Sequence, residues 1–179
     1  MSNHLRTRVF THRGTNLANG LAQMGQRIPG IEIRSRGATN ENLAATIRAM
    51  AEPADLIVLD GHGSGRRPVF CNGSKKDSAS AWFAPESLGA PRVIMSMCHG
   101  LHRHYIKALT DCNTEVEIVG PVAEITGPES ARLVCFLVEQ FHLGTQLSEA
   151  LKEARRLGVK EVEHWDRSCP ADRNHGFAA

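Results

Sequence analysis

Two residues of this chain have the types and the setting needed for covalent catalysis: His62 and Cys98, which lie 36 residues apart. Each follows a short apolar run, LIVL at 56–59 and RVIM at 92–95, and each is followed closely by glycine. A thiol is a strong nucleophile once a neighbouring base has removed its proton, and an imidazole is the usual base. This pair therefore indicates acyl transfer by a cysteine nucleophile.

The glycine next to His62 predicts which backbone group stabilises the oxyanion that forms during this reaction. Gly63 has no side chain, so its backbone can approach a substrate closely, and its N–H can donate to a developing negative charge. The Cys98 N–H is the second candidate donor. In this scheme Cys98 attacks a peptide carbonyl, His62 protonates the leaving amine, and water hydrolyses the thioester. The less specific interpretations are a buried core cysteine and a histidine that binds a loop carbonyl.

The elements that must position this pair follow from the hydrophobic pattern. Short apolar, β-branched runs bounded by turn residues predict buried strands, and the ends of neighbouring parallel strands lie about 5 Å apart. Strands are predicted at 6–10, 31–33, 56–59, 93–97 and 116–119, with a small hairpin near 69–70. Helices are predicted at 15–25, 39–50, 101–109, 126–141 and 147–157, the fourth starting with a capping box. The alternation predicts an α/β three-layer sandwich with a mostly parallel sheet, whose crevice opens at the carboxyl ends of the strands.

Composition narrows the class of protein. The 179 residues suffice for one domain, and 21 basic against 19 acidic residues leave a net charge of +2. This balance argues against nucleic acid or an anionic membrane as the main partner. No apolar run approaches the ~20 residues of a membrane span, and residues 1–10 lack the apolar core of an export signal. We therefore expect a cytoplasmic protein whose five cysteines are free thiols.

Motifs in the sequence partly match three other kinds of site: a nucleotide loop, a cysteine-phosphatase loop and a zinc site. The glycines at 61, 63 and 65 resemble a nucleotide loop, but they run into Arg66-Arg67-Pro68 rather than a helix. A cysteine-phosphatase loop needs C-x5-R, whereas Arg103 comes one position early. A zinc site at 98–104 lacks a paired C-x2-C, and His102 and His104 do not share a helix face. A solvated, histidine-rich helix start is favoured there, and neither a metal nor a cofactor is predicted.

With these residues placed, the chain resembles the caspase-like cysteine peptidases, which include caspases, metacaspases and bacterial CHAT-domain proteases. DLIVLDGHGSG (55–65) resembles the family's strand-His-Gly block, and RVIMSMCHG (92–100) resembles its strand-Cys block. THRGTNLANGL (11–21) is similar to the turn after the first caspase strand, and residues 115–155 are similar to the CHAT-type C-terminal half. The resemblance covers about residues 6–157, although the His–Cys spacing is shorter than the ~50 residues of caspases.

The resemblance implies a caspase-like central sheet in a peptidase domain at 1–157. Residues 158–179 form a C-terminal tail, for which the sequence leaves two interpretations open: Val159, Val162 and Trp165 form a last edge strand, or they dock on a partner. The resemblance assigns the dyad to His62 and Cys98 and the oxyanion donors to Gly63 and Cys98. The implied activity is cleavage of a protein partner. Bacterial members of that family often act in stress or antiphage operons and cleave one partner protein, such as a pore-forming or toxin-like effector. An activating signal for this chain is expected to come from a partner or from dimerisation. The short link after Cys98 predicts a single-chain enzyme.

The residue that precedes the scissile bond in the substrate, P1, stays open. Metacaspases hold a basic P1 with an acidic residue two positions before the cysteine, and caspases carry glutamine there; this chain has Ser96. Arg13 lies one position from the caspase arginine that binds an acidic P1, Glu124 favours a basic P1, and Ser96 is compatible with an uncharged P1. The alternative function is a catalytically silent adaptor that binds a partner through the same crevice.

Overall fold

The computed structural model describes residues 5–12, 16–36, 40–63, 69–71, 80–82 and 85–168. Its strands are β1 (Thr7–His12), β2 (Ile31–Arg36), β3 (Leu56–Asp60), β4 (Val69–Cys71), β5 (Ser80–Trp82), β6 (Arg92–Ser96), β7 (Glu117–Pro121) and β8 (Val162–Trp165). Its helices are α1 (Asn16–Gly25), α2 (Asn40–Ala49), α3 (Arg103–Cys112), α4 (Gly127–His142) and α5 (Leu147–Arg156).

Six strands form one sheet in the order β2-β1-β3-β6-β7-β8, and β4 and β5 pair separately as an antiparallel ribbon. Every pair in the large sheet is parallel except β7–β8. Parallel strands need a long crossover. Helices α1, α2 and α3 supply it between β1 and β2, β2 and β3, and β6 and β7, whereas the link from β3 to β6 carries the β4–β5 ribbon. The carboxyl ends of β1, β3, β6 and β7 consequently lie along one edge of the sheet.

The sheet is covered on both faces, which gives the three layers expected from the sequence. One apolar core contains α1, α4 and α5 with alternate strand residues such as Val58 and Ile94. The other contains the end of α2, the Leu101 turn and α3 with the intervening residues, such as Leu59 and Met95. Both faces of the central strands are buried, which explains why their sequences are nearly continuous apolar runs.

The predicted α/β architecture is confirmed, and the differences lie at element ends. The predicted capping box is present: Thr126 Oγ1 accepts the Glu129 N–H, and the Glu129 carboxylate accepts the Thr126 N–H. The helix predicted from residue 101 begins two residues later, at Arg103. Within the residues described, no helix is both long enough and apolar enough to cross a membrane.

Candidate active site at the carboxyl ends of β3 and β6

The register of two neighbouring strands brings the histidine and cysteine loops together. β3 and β6 are parallel, and Asp60 pairs with Ser96. The Gly61 N–H continues this ladder to the Ser96 carbonyl oxygen at 3.3 Å. His62 and Cys98 therefore each lie two residues beyond the same registered pair, at the edge of the sheet where parallel α/β proteins bind ligands.

Gly63 lies directly against the backbone of Cys98. A Cβ built on Gly63 would come 1.9 Å from the Cys98 carbonyl oxygen, a distance that no side chain tolerates without a backbone shift. The glycine is thus required by the close approach of the two loops. Neither the Gly63 nor the Cys98 N–H donates a hydrogen bond to another described residue.

Cys98 is held in a turn that contacts the segment after β7. Its half-buried thiol donates to the Ile125 carbonyl oxygen at 3.6 Å. The next residue, His99, has a left-handed backbone (φ 53°). Its N–H donates to Ala123 O at 3.0 Å, and its Nδ1 donates to Val122 O at 3.3 Å. These bonds offset the cost of a left-handed non-glycine residue, which is of order 1–3 kcal/mol.

The start of α3 differs from the sequence expectation for a physical reason. The N-cap is His102, whose Nδ1 accepts the His104 N–H at 3.3 Å. His102 is 6% exposed, and burial, with smaller effects from the charges of His104, Arg103 and His99, lowers its pKa. The sequence predicted that the histidines at the start of α3 are solvated. This prediction is wrong for His102, which is a buried, neutral N-cap. Gly100 allows this tight turn, since a Cβ there would lie 2.7 Å from Met95 Cβ.

A polar cluster beneath the two loops was missed from the sequence. Asp60 accepts hydrogen bonds from the hydroxyls of Thr11 on β1 and Ser96 on β6. Ser130 of α4 donates to Ser96 Oγ at 2.8 Å, because the Ser96 proton is directed to Asp60. One carboxylate therefore connects three elements at the carboxyl edge of the sheet. The available signal was a charged residue that ends an apolar strand two positions before His62.

The three P1 candidates lie in different surroundings. Arg13 falls outside the described residues. Ser96 is 3% exposed, and its hydroxyl is engaged within the protein by Asp60 and Ser130. Glu124 is exposed and lies beside Ile125 in the wall of a neighbouring cavity. The assignment of P1 to any of them stays a prediction.

That cavity has a volume of about 620 Å³ and lies among α4, α5 and the segments that follow β7 and α5. Its apolar lining includes Ile125, Leu133, Phe136, Leu157 and Val159. Charged side chains of both signs complete the lining: Glu124, Glu129, Arg132, Lys160 and Glu161. Ile125 belongs both to this wall and, through its carbonyl, to the surroundings of the Cys98 thiol.

The other free cysteines of the described residues lie in settings that favour the neutral thiol. Burial, followed by the charge of Asp111, raises the pKa of Cys112, whose thiol is close to Pro85 O at 3.0 Å. Burial, followed by the charge of Glu139, raises the pKa of Cys135. Neutral thiols are poor nucleophiles, so neither residue is a rival to Cys98 for covalent chemistry.

In the part of the chain that the structure describes, no group of three His, Cys, Asp or Glu side chains is arranged to hold a metal ion. Comparison of the sequence with protein-family models finds no match, and comparison with curated proteins finds none either.

Proposed function

We propose that the protein is a cysteine endopeptidase in which Cys98 is the nucleophile and His62 is the general base and acid. The observation that carries the proposal is the shared register of β3 and β6, which brings both loops to equivalent positions past neighbouring strand ends. The backbone contact between Gly63 and Cys98 supports it further. The resemblance of both sequence blocks to caspase-like peptidases favours the same chemistry.

In the proposed reaction, His62 takes the thiol proton that the resting enzyme donates to Ile125 O. The thiolate attacks the substrate carbonyl, and the C–O π electrons move onto the oxygen, which the Gly63 and Cys98 N–H groups stabilise. Collapse of the intermediate breaks the C–N bond, and His62 donates its proton to the leaving amine. Water, deprotonated by His62, then hydrolyses the thioester and restores the thiol.

The carboxylates near the strand ends favour a basic P1. Asp60 lies two residues below His62, about 7 Å along the strand, which suits the reach of a lysine or arginine side chain. Hydroxyl donors from Thr11 and Ser96 orient this carboxylate. Glu124 is the second acidic candidate. Comparing Asp60→Asn with Glu124→Gln on peptides with Arg, Leu or Asp at P1 identifies which carboxylate sets the preference.

The biological setting follows from the resemblance alone. It implies a bacterial cytoplasmic enzyme of a stress or antiphage system, a protein substrate such as a pore-forming or toxin-like effector, and an activating partner. Co-expression of the enzyme with the products of neighbouring genes tests this setting. Site-specific cleavage of one of them by the wild type, and not by Cys98→Ala, is the expected result.

The experiment that tests the activity is cleavage profiling on a diverse peptide library, with wild type beside Cys98→Ala. We expect cleavage that the substitution abolishes. An alkylating probe near neutral pH provides the companion measurement, with Cys135→Ser as the matched control. Probe labelling lost in Cys98→Ala but kept in Cys135→Ser supports a reactive Cys98, whereas an inert Cys98 favours the silent adaptor.

A further inference from the structure

We infer that the cavity beside Ile125 is a substrate subsite that receives a large apolar side chain located two to four residues from the scissile bond. The inference rests on the proposed endopeptidase function and adds a specificity determinant to it. The ligand class is an extended polypeptide that carries leucine, isoleucine, methionine or phenylalanine at that position.

The first argument is continuity with the nucleophile. The Cys98 thiol donates to the Ile125 carbonyl oxygen at 3.6 Å, and Ile125 is itself part of the cavity lining. An extended peptide advances about 3.3 Å per residue. A substrate whose scissile carbonyl lies at Cys98 Sγ therefore reaches this cavity within two to four residues.

The second argument is the chemistry of the lining. The volume of about 620 Å³ is in the range of ligand pockets, roughly 300–1,000 Å³, and such pockets are mainly apolar with a few polar groups. Here the apolar members come from α4, α5 and the turn after α5, whereas the charged members include both signs. The mixed charges give little selection for an ionic ligand, so the apolar surface decides what binds.

The third argument is an exposed leucine at the cavity. Two large hydrophobic side chains are strongly exposed among the described residues, Leu143 at 72% and Leu157 at 68%. Leu157 lines the cavity and Leu143 does not. Covering Leu157 with an apolar ligand side chain removes apolar surface from water, which favours binding.

The cavity wall is also held rigidly relative to Cys98. The segment after β7 is bonded on one side by His99 and on the other by Glu161, whose carbonyl accepts the Val122 N–H at 2.8 Å. His99 and Glu161 are the two non-glycine residues with left-handed backbones among the described residues. Each of these residues therefore keeps a backbone conformation that is unfavourable in free energy, and each is hydrogen-bonded to the segment that carries Ile125. A preformed wall of this kind holds a substrate in register with the nucleophile.

The two exposed leucines provide a matched pair for the test. Leu157→Ser and Leu143→Ser remove the same side chain from helix-end positions, but only the first borders the cavity. Peptides that place leucine or alanine at each position from P4 to P4′ are compared for kcat/KM. We expect the wild type to prefer leucine about tenfold at one position, the size of effect typical of an apolar pocket. Leu157→Ser should reduce this preference about threefold, and Leu143→Ser should leave it unchanged.

Phe136→Ala provides a deeper change in the same cavity and should reduce the preference further, with folding checked by its melting temperature. Equal leucine and alanine rates in the wild type, or an unchanged preference in both cavity variants, would overturn the inference while leaving the peptidase intact. If the wild type cleaves no peptide, either alone or with the products of neighbouring genes added, the proposed activity fails instead. Fluorescence anisotropy with Cys98→Ala then measures binding alone, and equal affinity for leucine and alanine peptides would reject the subsite.

Discussion

The two ends of the central sheet hold their charged groups in contrasting ways. Near the amino ends of β1 and β2, Arg8 is only 4% exposed and is bonded to Glu32, Glu52 and the Glu52 carbonyl oxygen, while Arg34 bridges the same two carboxylates. At the carboxyl ends, Asp60 accepts hydrogen bonds from two hydroxyls. The amino end thus holds its charged groups in pairs of opposite sign, which stabilises the fold, whereas the carboxyl end orients an acid with hydroxyl donors.

The amino-end network stays ionised over a wide pH range. Hydrogen bonding to Arg34, followed by that to Arg8, holds the pKa of Glu32 below its ordinary value. A carboxyl group with a depressed pKa in the folded state contributes stability above its unfolded pKa, and this contribution is lost as the pH falls through the folded pKa. The network therefore supports the fold at neutral pH and carries no proton-transfer role.

The largest effect is expected where the two loops of the carboxyl end touch. Gly63→Ala places a methyl group at 1.9 Å from the Cys98 carbonyl oxygen, so the loops must separate. A shift of about 1 Å in a catalytic site costs roughly 100-fold in rate, and we expect at least that loss in kcat/KM. Gly127→Ala is the control, because nothing lies within 4 Å of its added Cβ. Wild-type rates in Gly63→Ala would argue against the proposed oxyanion site.

The next effect concerns the amino end and should appear in stability alone. Arg8→Met keeps about the same side-chain volume but removes one of the two cations that pair with the carboxylates of Glu32 and Glu52. It also removes the donor that bonds the Glu52 backbone carbonyl oxygen. Because Glu32 and Glu52 are partly exposed, we expect a loss of about 2 kcal/mol in the free energy of unfolding. Urea denaturation measures it, with Lys107→Met in an exposed pair as the near-neutral control. A large loss of kcat in folded Arg8→Met would contradict the division between the two ends.

Asp60→Asn tests the carboxyl end in the opposite way. Asparagine keeps the shape and both polar side-chain atoms of aspartate, so we expect the free energy of unfolding to fall by only about 1 kcal/mol. The substitution nevertheless removes the negative charge. Cleavage after arginine should fall about tenfold while labelling of Cys98 by the probe is kept. Ser130→Ala removes a hydroxyl from the same cluster without changing its charge and should not alter the P1 preference. Equal loss at every P1 residue would indicate a structural role for Asp60.

The smallest effect is the pH dependence that arises from His102. Burial lowers the pKa of this residue below its ordinary value near 6.5, so the unfolded chain binds more protons than the folded chain below that pH. Stability therefore falls as the pH decreases from about 6.5 toward the folded pKa. His102→Asn keeps an N-cap acceptor and removes the titration, so its melting temperature should depend less on pH between 6.5 and 5. An unchanged pH profile would exclude His102 as a contributor.

Sequence patterns predicted the layers, the strand–helix alternation and the capping box at Thr126, because each depends on residues that are close in the chain. They failed at the start of α3, where His102 supplies the cap two residues later than the pattern suggested. They also missed Asp60, since a single acid at a strand end is an ordinary turn signal until its partners are known. Only the pairing of β1, β3 and β6 brings Thr11, Asp60 and Ser96 together.

The sequence by itself determined that His62 and Cys98 come after buried strands and are followed closely by glycine, because apolar runs and turn residues are local signals. The tertiary structure alone decided that Asp60 pairs with Ser96, that Gly63 contacts the Cys98 backbone, and that Ile125 contacts the Cys98 thiol and also lines the cavity. These contacts join residues that are 27 to 36 positions apart in the chain. The register of the sheet and the packing of α4 set them, and no local pattern encodes either.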